Sequence, residues 1–132
     1  MLRHTTRLGL TLAAALAGCG DPAEITDDAL PAQSERGSFS LDIAHDDGAF
    51  RRGANSFAVR ATDAAGHAAS VVGVTARMPG HAHGSTPPRI DCAGGVCRVS
   101  DLLLTMPGRW EITLQLVVPG TRDEALLSPV LR

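Results

Sequence analysis

The stretch Trp110-Glu111-Ile112-Thr113-Leu114-Gln115-Leu116-Val117-Val118 decides the fold class. Trp110, Ile112, Leu114, Leu116 and Val118 alternate with Glu111, Thr113, Gln115 and Val117. A period of two sends one set of side chains to a core and the other toward water, the signature of a half-buried β-strand. The pattern recurs toward the N-terminus. Phe39, Leu41 and Ile43 alternate with Ser40 and Asp42. Phe57, Val59 and Ala61 alternate with Ala58, Arg60 and Thr62, and Val72, Val74 and Ala76 with Gly73, Thr75 and Arg77.

Breaks fall at Asp46-Asp47-Gly48, Ala64-Ala65-Gly66, Gly80 to Pro88, Gly94-Gly95 and Pro107-Gly108. Short strands at roughly ten-residue spacing predict an all-β sandwich of about seven antiparallel strands. A final strand is expected through Leu126 to Leu131, demoted to an edge by Pro129. No stretch has the period of an amphipathic helix. With three Phe, one Trp and no Tyr, the core must come from Val, Leu, Ile, Ala and Met.

The N-terminus reads differently. Met1 to Thr6 is short and cationic, and Leu8 to Gly18 is an uncharged apolar run too short to span a bilayer, which takes ~20 residues. Residues 1–18 are therefore expected to be a secretory signal. The run ends in Leu16-Ala17-Gly18-Cys19, which looks like a bacterial lipobox, with Cys19 taking a diacylglyceryl group after cleavage. An ordinary signal peptide with a chance cysteine is the other reading. Gly20, rather than Asp, leans toward the outer membrane over the inner. Residues 19–37 carry no sustained hydrophobic period and are expected to be a flexible tether reaching ~20–25 Å. The domain proper is then 38–132.

The chain has twelve Arg, no Lys and fourteen acidic residues. No basic patch with interleaved aromatics exists, which argues against a nucleic-acid partner. The membrane, through lipidated Cys19, and an envelope protein are the partners the sequence suggests.

Cys92-Ala93-Gly94-Gly95-Val96-Cys97 has the form of a two-residue β-hairpin, because glycine tolerates the positive φ such a turn demands. Ala93 would face Val96, and Cys92 would face Cys97 at disulfide-compatible spacing. Export to an oxidising compartment favours the bond. A dithiolate metal site is the alternative.

Two segments share a motif: Arg77-Met78-Pro79-Gly80-His81-Ala82-His83-Gly84 and Met106-Pro107-Gly108-Arg109-Trp110. Together with Gly53 to Arg60 and Asp63 to Gly66, they resemble the YtkA-like domain family over roughly Ser38 to Val118. The resemblance implies a small immunoglobulin-like sandwich, exported and often lipid-anchored, distantly similar to the FixH and CopC-type proteins of copper handling. The cysteine hairpin is an addition to that pattern.

Chemistry points the same way. His81 and His83 are two apart, so an extended segment projects both imidazoles to one side. Imidazole nitrogen suits copper or zinc, and a thioether from Met78 or Met106 shifts the preference toward Cu(I). Each residue also has a plainer reading. Met78 and Met106 continue inward-facing sets and fill core space, and the histidines bond the turn backbone. His45 and His67 are expected to be solvated, and Asp46-Asp47 and Asp123-Glu124 to be acids in exposed turns.

Nucleophilic catalysis needs a nucleophile, a base and an orienting group in one place, and no pattern here supplies them. The chain is therefore read as a non-enzyme, with copper as its possible ligand. Its competing role is a metal-free structural or interaction domain at the cell envelope.

Overall fold

The computed structural model describes residues 30–82 and 84–132. The expected signal (1–18), the expected lipidation site Cys19, residues 20–29 and the candidate ligand His83 lie outside the described residues.

Among the described residues nine β-strands form two face-to-face sheets and a small ribbon: β1 (Ser40–His45), β2 (Gly53–Thr62), β3 (Ser70–Arg77), β4 (Arg89–Ala93), β5 (Val96–Leu104), β6 (Gly108–Arg109), β7 (Glu111–Val118), β8 (Thr121–Leu127) and β9 (Val130–Leu131). One sheet has the order β1-β2-β5-β4 and the other β3-β7-β8, while β6 pairs with β9. Every pairing is antiparallel. The seven longer strands meet the expected number, and the fold is the all-β sandwich that the alternation predicts.

The core is one cluster drawn from both sheets, with Trp110 its largest fully buried side chain. Ile112, Leu114 and Leu116 are wholly enclosed, as are Phe57 and Val59 from the facing sheet. Burying such side chains contributes on the order of 1.5–3 kcal/mol each.

Two bulges correct the strict alternation. On β3 the register with β7 slips between Val71 and Gly73. Val71 takes the inward place expected of Val72, and Val72 turns out to 53% exposure. One extra residue on one strand sets the inward pattern back by a single position. On β5 the register with β2 slips opposite Asn55 and Phe57, and Asp101 there adopts a left-handed φ of 62°. That kink lets Cys97 and Val99 on one side, and Leu102 and Leu104 on the other, all face inward.

The cysteine hairpin forms as expected. Cys92 faces Cys97, Ala93 faces Val96, and Cys92 and Cys97 are joined in a disulfide with their α-carbons 3.9 Å apart. Gly94 and Gly95 both have positive φ, as the turn requires.

Residues 30–37 are not free tether. The Leu41 N–H donates to the Ala32 carbonyl, the Glu35 N–H to the Glu124 carbonyl, and Gln33 bridges to Ser40. This strap packs Leu30 against the core. Its anchor is Asp123, expected in an exposed turn but only 4% exposed on β8. Asp123 accepts hydrogen bonds from the Ser34 hydroxyl (2.6 Å) and from the backbone N–H groups of Arg36 (3.1 Å), Ser38 (3.2 Å) and Glu124 (2.8 Å). Burial alone would raise its pKa. The Ser34 hydroxyl and the backbone donors outweigh that and hold the carboxyl far below the usual carboxylate range. Over residues 30–37 hydrophobic period alone misses this strap, because hydrogen bonds hold it; residues 19–29 of the expected tether lie outside the described residues.

The expected Leu126–Leu131 strand is in fact the end of β8 and the separate β9. They break at Ser128-Pro129, where the buried Pro129 carbonyl accepts the Trp110 N–H at 2.9 Å.

Candidate functional site

The register of β3 on β7 brings the two Met-Pro-Gly segments together. Arg77, the last residue of β3, lies opposite Glu111, the first of β7, and their side chains form a 2.7 Å ion pair. One segment leaves the sheet where the other enters it.

Met78-Pro79-Gly80-His81 is a tight turn. The His81 N–H donates to the Met78 carbonyl at 3.1 Å, and Gly80 has a φ of 77°. Proline second and a positive-φ glycine third define a type II turn. The chain then folds back: Gly84 bridges to Arg77, and the Ser85 N–H donates to the Ala76 carbonyl at 2.9 Å. His81 is exposed on this loop.

The second segment is fixed from below. The Trp110 indole N–H donates to the Met106 carbonyl at 3.0 Å, and Gly108–Arg109 pairs with Val130–Leu131 of β9. A β-carbon at Gly108 would lie 2.9 Å from the Met78 methyl, and Gly108 has a φ of 116°. The Met78 side chain therefore lies against the backbone of the second loop.

The two methionines differ. Met78 is 7% exposed and belongs to the core cluster. Met106 is half-buried and packs on that cluster's rim. Among the described residues no three His, Cys, Asp or Glu side chains are grouped to hold a metal ion.

The other histidines lie elsewhere. His45 is not simply solvated: it is half-buried, edge-on to Phe50 at 4.2 Å between ring centroids. His67 is exposed and pairs with Asp63, Nδ1 to Oδ2 at 3.2 Å. The Asp63 carboxylate also accepts the His67 N–H at 2.8 Å and the Ala65 N–H at 3.0 Å. These bonds, the His67 backbone donor foremost, hold its pKa below the ordinary value.

Asp123 is the residue sequence reasoning missed. Its signal was present: Asp123, Ala125 and Leu127 continue an inward alternation after the Pro119-Gly120 turn. A cleft of about 390 Å³ beside it is lined by Glu35, Arg36, Gln115 and Arg122 among others, away from the Met-Pro-Gly loops.

Comparison with known proteins finds no matching family model, no matching curated protein and no matching solved structure.

Proposed function

We propose that this chain is an exported, lipid-anchored sandwich of the YtkA-like kind whose Met-Pro-Gly end binds copper. The observation that supports the reading is the packing of Met78 against Gly108, which brings two loops thirty positions apart in sequence into contact. His81 and His83 supply imidazole nitrogen, and Met106 supplies the thioether, because Met78 is taken up by the core. This donor set fits copper: soft sulfur beside imidazole favours Cu(I) and keeps its ligand form in an oxidising compartment.

Other features support the surrounding reading. The strand order β1-β2-β5-β4 against β3-β7-β8 corresponds to the two sheets of a constant-type immunoglobulin domain. The Cys92–Cys97 disulfide suits a protein outside the cytoplasm. Cys19, following Leu16-Ala17-Gly18, is the proposed lipid attachment point, with the outer membrane favoured and the domain facing the periplasm.

The test is Cu(I) titration of the mature chain in competition with a chromogenic chelator. His81→Ala combined with His83→Ala should weaken binding at least tenfold, and Met106→Leu should weaken Cu(I) more than Zn(II). Equal binding by all three proteins removes the copper assignment. One observation favours a second reading, a metal-free envelope interaction domain: the burial of Met78 makes the motif partly a packing device.

A further inference from the structure

We propose that the Cys92–Cys97 disulfide is a thiol–disulfide exchange site, attacked at Cys92 by a small dithiol reductant. Three observations converge on it. The two cysteines are unequal: Cys92, on the edge strand β4, is an exposed residue whose sulfur rests 3.8 Å from the Val71 carbonyl oxygen, while Cys97 is 2% exposed. The Val71 N–H, across the sandwich on β3, donates to the Cys97 sulfur at 3.3 Å. A cleft of about 180 Å³ opens beside the bond, walled by Ala68, Ser70, Gly94 and Gly95 with both cysteines.

The rate of exchange depends on which sulfur is accessible and on how well the departing sulfur carries negative charge. Here access selects Cys92. A thiolate of the dithiol entering the cleft attacks the Cys92 sulfur, forming a new S–S bond. The Cys92–Cys97 bond breaks, and its electron pair goes to the Cys97 sulfur. Burial disfavours that thiolate, and the Val71 N–H offsets part of the cost by donating to it until it takes a proton from solvent. The second thiolate of the reductant attacks its own sulfur in the mixed disulfide. The bond to Cys92 breaks, and the Cys92 sulfur takes that pair and a proton. The dithiol is oxidised by two electrons and the hairpin is reduced by two. Small side chains around the cleft fit this role, since they leave room for an incoming thiol. Ala68 lies within 3.5 Å of where a β-carbon on Gly95 would sit, so its side chain forms the wall nearest the turn.

The experiment uses the full chain with Cys19→Ser, which leaves only the hairpin cysteines. Reduced glutathione is added at neutral pH, the reaction is quenched by alkylation, and the adduct is located by peptide mass spectrometry. The mixed disulfide should fall on Cys92 over Cys97 by at least tenfold. With dithiothreitol, reduction should proceed in native buffer, and Ala68→Phe, which fills the cleft from an exposed position, should slow it at least fivefold. Adducts shared evenly, an adduct chiefly on Cys97, or reduction that occurs only at the rate of global unfolding would each overturn the proposal. An Ala68→Phe protein of unchanged urea midpoint and unchanged reduction rate would do the same.

Discussion

The Ser34 hydroxyl donates a 2.6 Å hydrogen bond to the carboxylate of Asp123, 89 positions away. The same hydroxyl accepts the Phe39 N–H at 2.9 Å. Ser34 therefore ties the strap to β8 and to the start of β1 at once. Asp123→Ala leaves that hydroxyl and several backbone donors without their acceptor in a buried place. We expect a loss of about 3 kcal/mol, read as a lower urea midpoint.

Asp123 also contributes to the acid limb of stability. Its folded-state pKa is depressed, so its contribution is fully present above the unfolded value of about 3.9 and is lost as pH falls from there toward the folded pKa. Urea denaturation of the parent chain should show stability falling between about pH 5 and pH 2. Asp123→Asn should flatten that limb; an unchanged limb would show that other carboxylates govern it.

Gly108→Ala tests the joining of the two loops. The new β-carbon meets the Met78 methyl at 2.9 Å and sits on a φ of 116°. A cost of about 2–3 kcal/mol is expected from crowding and backbone strain together. Adding Met78→Ala relieves only the crowding, so the double variant should be less destabilised than the sum of the two singles. Strict additivity in thermal melts would mean the side chains do not meet.

Trp110→Phe removes the donor to the Met106 carbonyl and leaves a cavity in the core. About 2 kcal/mol should be lost. Amide exchange should quicken at Met106 and Gly108 more than in β1, which pairs with β2 on the facing sheet.

Asp101 is exposed on a left-handed φ of 62°. Its ion pair with Arg89 joins two exposed side chains and is worth little. Asp101→Gly should be neutral or stabilise by roughly 0.5 kcal/mol. Asp101→Val should cost about 1–2 kcal/mol, because a β-branched residue resists that backbone. A reversed order in the two melting temperatures would refute the bulge assignment.

Much of the sandwich was legible because burial alternates along most strands. Trp110 through Val118 and Phe57 through Ala61 read directly, and Cys92 facing Cys97 followed from a two-residue glycine turn. The bulges at Val72 and Asp101 were hidden, since one inserted residue has no signature of its own in a short apolar run. The strap was hidden for a different reason. Its order comes from Ser34 and Asp123, a pair far apart in sequence, and a polar segment carries no local mark of such a partner. At the candidate site, turn chemistry could be read in Pro79-Gly80. The division of labour between Met78, buried, and Met106, at the rim, could not, because both continue inward sets.

The strap grips the sandwich beside the start of β1, while the Met-Pro-Gly loops gather where β3 ends and β7 begins. Along β7 the level of Asp123 stands roughly 17 Å from that of Arg77. The molecule thus has a top and a bottom. Tension carried by the chain into Leu30 therefore meets the Ser34 and Asp123 hydrogen bonds at the bottom before it reaches the paired loops.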